Sequence, residues 1–325
     1  MAPENPAARP PGRAGVPGRV HRAPRGVVRG VTATALPACA VLGTVTYGAA
    51  APPRTAAVTP VVAGQAAEAA VGKVSEEPRV VWSEVLATAL RDVSGDPRAR
   101  YSVAVLDTAT GARAVHGDGP YDTASIVKVD ILAALLLRAQ DAGRELTARE
   151  ESLAAVMIEE SDNAAASVLW RAIGLGPGLD AANRRLGLTA TTAGSGLLWG
   201  LTRTTAADQL TLLQRVFGTG GALDEASRAY VRRLMGRVTA AQAWGVPTAA
   251  DDGSYEIKNG WLQRSTTGLW IVNSIGRVRA DGRTYLVAVV SGGSTTQAAG
   301  ITLVERAARA AVAAFSRAAG RCGSS

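Results

Sequence analysis

The stretch Thr123-Ala124-Ser125-Ile126-Val127-Lys128, with the apolar run Val129–Leu137 behind it, most constrains how this 325-residue chain can fold. The run VDILAALLL is hydrophobic on nearly every face, which predicts a helix buried on all sides. The exceptions lie in its first turn, where a lysine follows a serine by three residues. Positions i and i+3 share a helix face, with Cβ atoms about 5–6 Å apart. A helix start also leaves backbone N–H groups unpaired at the positive end of the dipole. A hydroxyl beside an amine, next to a ready-made oxyanion site, is the equipment of acyl transfer. Ser125 is therefore the candidate nucleophile.

Lysine usage supports this. Only Lys73, Lys128 and Lys258 occur among 35 basic residues; the rest are arginine. Arginine keeps its proton in a protein, whereas a desolvated lysine can lose its own and serve as a base. A Ser-His-Asp site would have to use His116, beside the turn Gly117-Asp118-Gly119-Pro120, and ranks below the Ser-Lys reading. Cys39 and Cys322 sit near opposite ends with no C-x-x-C and no histidine pair, so no metal site is expected. The net charge of +8 is also concentrated. Seven arginines against Glu4 alone precede Pro60, and no basic stripe interleaved with aromatics follows, so nucleic acid is not an expected partner.

Three regions are expected. Residues 1–51 form a basic leader followed by an export signal or membrane anchor. Val31–Ala51 is uncharged, is about long enough to span a bilayer, and ends in small residues suited to cleavage. Either reading places the rest of the chain outside the cytoplasm, secreted or tethered through Val31–Ala51. Residues 52–78 are rich in Ala, Val and Pro without periodicity and read as a linker. Residues 79–325 are one folded domain, expected to be monomeric.

Within that domain, Trp82–Val93 reads as a helix, Tyr101–Thr108 as a strand, and Ala114–His116 as its short partner. A helical block runs from Ser125 to about Val238, broken by Gly143, Gly174–Gly178 and Gly187–Gly200. Strands follow at Tyr255–Gln263, Leu269–Ile275 and Thr284–Ser291, the last two joined through Asp281-Gly282. A closing helix, Thr296–Ala318, would bury Ile301, Val304, Ala308 and Phe315. Strands at both ends with helices between them imply an α+β fold, an antiparallel sheet built from both chain ends and packed against a helical lobe.

Three motifs occur in order: Ser125-x-x-Lys128, Ser161-Asp162-Asn163 and Lys258-Asn259-Gly260. Each is weak alone, and Ser161-Asp162-Asn163 could be an ordinary helix cap. Together, in these contexts, the sequence resembles the serine β-lactamase and D,D-peptidase (penicillin-recognising) superfamily, nearest the class A β-lactamases. The resemblance implies a β-lactamase/transpeptidase-like fold and an acyl-enzyme on Ser125. It implies Lys128 as the base, Ser161 as the relay to the leaving nitrogen, and Asn163 holding the substrate amide. Lys258 would face a substrate carboxylate, with Asn259 and Gly260 beside it. The backbone N–H groups of Ser125 and Trp261 would form the oxyanion hole. The expected partner is a small-molecule or cell-wall peptide substrate, with no cofactor.

The chain departs from that pattern in its loop. Class A enzymes carry a glutamate there that activates the deacylating water, whereas Leu186–Thr205 is rich in Gly and Thr and holds no acid. Glu159 and Glu160 are alternative bases, although two acids before a helix start are commonly a solvated pair. Asn259 stands where a hydroxyl residue is usual, and an amide cannot pass a proton as a hydroxyl does. An arginine that commonly assists the carboxylate pocket is absent; the strand neighbour of Lys258 is expected near Asn273. Trp199 and Trp261 flank the expected cleft. A slow penicillin-binding or D,D-peptidase-like protein, or a non-catalytic ligand-binding domain, are the alternatives to a true β-lactamase.

Overall fold

The computed structural model describes residues 80–322; the expected leader and linker lie outside the described residues. In chain order the elements are α1 (Trp82–Leu90), β1 (Arg100–Asp107), β2 (Arg113–His116), β3 (Tyr121–Asp122), α2 (Val127–Asp141), α3 (Ala148–Glu159), α4 (Asn163–Ala172) and α5 (Leu175–Leu186). There follow β4 (Arg203–Thr204), α6 (Ala206–Phe217), α7 (Glu225–Met235), β5 (Tyr255–Gln263), β6 (Trp270–Ala280), β7 (Arg283–Ser294) and α8 (Gln297–Cys322). No helix among the described residues is long and apolar enough to cross a membrane.

Five strands form one antiparallel sheet in the order β2-β1-β7-β6-β5. The early strand β1 lies between β2 and the late strand β7, so the sheet joins both ends of the domain as expected. One apolar cluster packs α1 and α8 on one face through Leu86, Val304, Ala308 and Phe315. A larger cluster on the other face joins the sheet to the helical lobe. With both faces covered, β1 and β7 are apolar almost continuously, without strict alternation. The helix α2 is buried along nearly its whole length.

Some local expectations shift. The break expected at Gly174–Gly178 is shorter, confined to Ile173-Gly174: Gly174 caps α5 in a left-handed conformation, and Gly176-Pro177-Gly178 already belongs to its first turn. Proline is tolerated there because the first-turn N–H groups have no helical partner. A Cβ on Gly178 would lie 1.7 Å from the Ile173 carbonyl oxygen, so only glycine lets the turn close. Ile301 is half-buried rather than core. The strand partner of Lys258 is Ile275, while Asn273 pairs with Gly260. The turn between β5 and β6 closes with Arg264 N donating to Leu269 O, and that closure sets the register.

Inside α2, Asp130 is an acid with no charged partner. Gln209 Nε2 donates to Asp130 Oδ1 at 3.3 Å, while Asp130 Oδ2 and Gln209 Oε1 are both buried without a partner. Burial pushes the Asp130 carboxyl up to about 7 and the charge of Asp208 adds to it, against the lowering effect of the Gln209 hydrogen bond.

Candidate active site

Ser125 sits in a 3-10 turn, Ala124–Ile126, that runs directly into α2. Ala124 has φ of 47°, a left-handed conformation that costs energy for a residue with a Cβ. The segment is held in place from several directions. Asn273, fully buried on β6, donates through Nδ2 to the carbonyls of Asp122 and Thr123, each at 2.9 Å, and its Oδ1 accepts from Ser291 N. Thr123 N donates to Thr202 O at 2.8 Å, and β3 pairs with β4. The Ser125 side chain is partly exposed and makes no hydrogen bond with the described residues.

Lys128 points from the first turn of α2 into a cluster of acceptors. Its Nζ donates to Ser161 O at 2.6 Å, Ser161 Oγ at 3.0 Å and Asn163 Oδ1 at 2.9 Å. The cap of α4 creates this arrangement. Asp162 is the N-cap, accepting from Ala165 N at 2.6 Å, and Ser161 takes a left-handed φ of 60°. The middle residue of the motif therefore caps the helix, and its neighbours turn back toward Lys128. Asn163 is exposed, and with its oxygen engaged by Lys128 its amide N–H groups remain available to an incoming carbonyl.

Lys258 reaches the same point from β5. Its Nζ donates to Ser161 Oγ at 3.0 Å and to Asn259 O at 3.0 Å. Both lysines are fully buried. Burial pushes Lys128 down to about 7, with the Asp162 carboxylate pulling the other way. Burial, and then the charge of Lys128, hold Lys258 well below the usual lysine range. Of the three acceptors around Lys128, the backbone carbonyl and the amide oxygen can only accept. The Ser161 hydroxyl alone can reverse and donate to a neutral amine, so that contact is the one able to exchange a proton.

Gly260 brings β5 against the Ser125 backbone. A Cβ there would lie 2.6 Å from Ser125 N and 2.7 Å from Ile126 N. Asn259 is fully buried and donates through Nδ2 to the carbonyls of Gln242 and Trp244, at 2.7 and 2.8 Å. It ties β5 to that loop instead of offering its amide protons to the cleft. Trp261 is half-buried and packs edge-on against Trp244, with ring centroids 5.7 Å apart.

The acid-free segment 187–205 is ordered by groups outside it. Trp170 donates to Gly196 O, Asp180 accepts from Ala193 N, and Asp208 accepts from Ala190 N and Thr191 Oγ1. Its tip lays the Trp199 ring over Lys128, 5.0 Å from Nζ to the ring centroid. Glu159 is half-buried near Arg237, and Glu160 is exposed at the end of α3. No motif or periodicity pointed to the Trp199–Lys128 contact, the Asn273 tie, or the β3–β4 pair.

Known proteins with this architecture are numerous. PBP-A covers 72% of this chain and 97% of its own, with a TM-score of 0.62 at 20% identity. A class A β-lactamase from Mycobacterium abscessus covers 72% and 99%, with a TM-score of 0.60 at 21% identity. At these identities the likeness is one of fold. Among sequence relatives, the putative lipoprotein LppW of Mycobacterium tuberculosis is 29% identical over 195 residues, covering 57% of this chain and 62% of that protein. The sequence profile of the beta-lactamase enzyme family matches residues 137–315, a span that begins after Ser125 and Lys128 and includes the other two motifs. The fold and that match together place the chain in the beta-lactamase enzyme family.

Proposed function

We propose that the chain is a serine acyl-transfer enzyme that forms an ester on Ser125 with a small amide, such as a β-lactam or a cell-wall peptide. The observation that carries this reading is the Ser161 hydroxyl, held 3.0 Å from both Lys128 Nζ and Lys258 Nζ, with Lys128 one helical turn from Ser125 and Gly260 of the Lys258 strand against the Ser125 backbone. In the reaction Ser125 Oγ attacks the acyl carbon and Lys128 takes the hydroxyl proton. The carbonyl oxygen develops negative charge against the backbone N–H groups of Ser125 and Trp261. The C–N bond then breaks, and Ser161 passes a proton from the lysine pair to the leaving nitrogen. Asn163 holds the substrate amide, and an incoming substrate carboxylate favours the charged form of Lys258, whose ammonium then faces it. Asn259 supports the strand, and Gly260 lets it approach.

The naming of LppW as a putative lipoprotein supports an extracytoplasmic or membrane-associated setting for this chain. A solved point mutant of PBP-A is an acyl-enzyme complex with penicillin G, which makes that drug a reasonable probe. The test is intact-mass spectrometry of the full chain mixed with benzylpenicillin, beside Ser125→Ala. An adduct of one drug mass on the wild type, absent from the variant, is expected. A wild type that never gains mass would sink the acyl-serine reading and leave a ligand-binding domain.

A further inference from the structure

The amine of Lys128 has two environments. On one side lie the three oxygens of Ser161 and Asn163, and on another lies the indole of Trp199. The ring is a fixed object. Its Nε1–H donates to Ser167 Oγ at 3.2 Å, and that hydroxyl donates to Asn163 O at 2.9 Å, so the ring is tied to the helix that presents Ser161 and Asn163. The next residue, Gly200, packs near the nucleophile turn: a Cβ there would lie 4.0 Å from Ala124 Cα and 3.9 Å from Leu262 Cδ2. Further along, Thr202 O accepts from Thr123 N, and Thr202 Oγ1 accepts from Gly194 N. The tip of the segment is thus held from both sides of the cleft.

Hydrolysis of a Ser125 ester has defined requirements. The oxygen of a water must bond to the acyl carbon, one of its protons must go to a base, and Ser125 Oγ must recover a proton as the ester C–O bond breaks. The segment 187–205 offers no carboxylate for the water's proton. The group one helical turn from Ser125 that is able to be neutral near pH 7 is Lys128. We propose that Trp199 sets the lifetime of the acyl-enzyme, its ring covering Lys128 so that a hydrolytic water finds neither room nor a base. This rests on the acyl-serine reading and deepens it. The site takes an acyl group and keeps it, a property suited to transfer onto a second substrate or to long-lived capture.

The full chain carries only three lysines, so lysine labelled with ¹³C at Cε gives three signals to follow through a pH titration. Trp199→Ala and Trp199→Phe are compared with the wild type in that titration and in the decay of the penicilloyl adduct. In Trp199→Ala, water reaches the amine, and the Lys128 midpoint is expected to rise by about one pH unit. Compared at about pH 9, above the midpoint in both proteins, adduct decay is expected to speed up roughly tenfold or more, with adduct formation changed much less. Trp199→Phe keeps a ring over the amine and should stay near the wild type in both readouts. Decay in Trp199→Ala within about twofold of the wild type, with the Lys128 midpoint unmoved, would overturn the proposal. A wild type that forms no adduct at all fails at the earlier step and counts against the acyl-serine reading itself.

Discussion

Gly260 lies so close to Ser125 that a methyl group on its Cα would sit 2.6 Å from the Ser125 backbone nitrogen. The clash is with main chain, which cannot rotate aside as a side-chain tip can. Gly260→Ala must therefore move either β5 or the nucleophile turn. Overpacking of this kind costs about 1–3 kcal/mol of stability. A displacement approaching 1 Å at a reacting group can cost about a hundredfold in rate. Adduct formation with benzylpenicillin should fall about a hundredfold while the protein remains folded by circular dichroism. A variant that acylates like the wild type would show that the close approach has no role in positioning Ser125.

The protonation of Lys128 sets a pH dependence with a definite sign. On the acyl-serine reading its amine acts as base only when neutral, and burial brings that state within reach at about pH 7. The acylation rate should rise with pH through that value and then level off. Lys128→Arg, which keeps the charge but cannot give up its proton, should show no such rise and little acylation at any pH. Stopped-flow or quenched mass measurements from about pH 5 to 9 read both results.

Asn273 satisfies three backbone groups at once: the carbonyls of Asp122 and Thr123 and the N–H of Ser291. Asn273→Leu removes this donor and acceptor from all three, leaving the Thr123 carbonyl only its 3.3 Å bond from Ile126 N, at about 1–3 kcal/mol for each group left unpaired. Urea unfolding should show a loss of roughly 3 kcal/mol or more. The acylation rate of the folded fraction should drop as well, because Thr123 is two residues from the nucleophile.

Asp130 predicts a slope in stability. Its carboxyl is raised from 3.8 to about 7 in the folded protein, so the folded state binds a proton that the unfolded chain releases near pH 4. Its contribution is fully favourable below about pH 4 and is lost as pH rises through about 7. Protonation removes the buried charge and turns one of the two unpartnered oxygens, Asp130 Oδ2, from acceptor to donor. Asp130→Asn offers an N–H in the same place at every pH. Above about pH 7 it should be more stable than the wild type by on the order of 3 kcal/mol, and it should lack the Asp130 slope between about pH 4 and 7. Urea midpoints across that range, compared between the two proteins, would show it.

What was legible in the sequence is what local chemistry determines. The strand Tyr255–Gln263 falls where expected, and Asp281-Gly282 forms the hairpin turn between β6 and β7, with φ of 50° and 70°. The helix after Ser125 is buried as its composition requires. Ser125 and Lys128 are neighbours by helix geometry alone, but the meeting of Lys128, Ser161 and Lys258 depends on how the sheet meets the helical lobe. The β5–β6 register depended on where an irregular turn closes, and composition does not show that. The pair β3–β4 has two residues in each strand, too few for any period. Asn259 looked like a substrate contact from its place in a motif, whereas its buried amide instead binds two carbonyls of a neighbouring loop. Asp130 did leave a signal, as the one acid inside the run VDILAALLL.

The pairing of β1 with β7 also sets when the backbone around Ser125 can first be framed. Arg100 lies opposite Gly292, so the strand that begins the domain has no inner neighbour until nearly two hundred further residues have been made. Asn273 and Ser291, which steady the backbone before Ser125, belong to that late portion. A nascent or truncated chain ending before β7 carries Ser125, both site lysines and Asn273, but lacks Ser291, which fixes the Asn273 side chain, and the strand that pairs with β1. On the acyl-serine reading, Ser125 gains this support only after β6 and β7 have both been made.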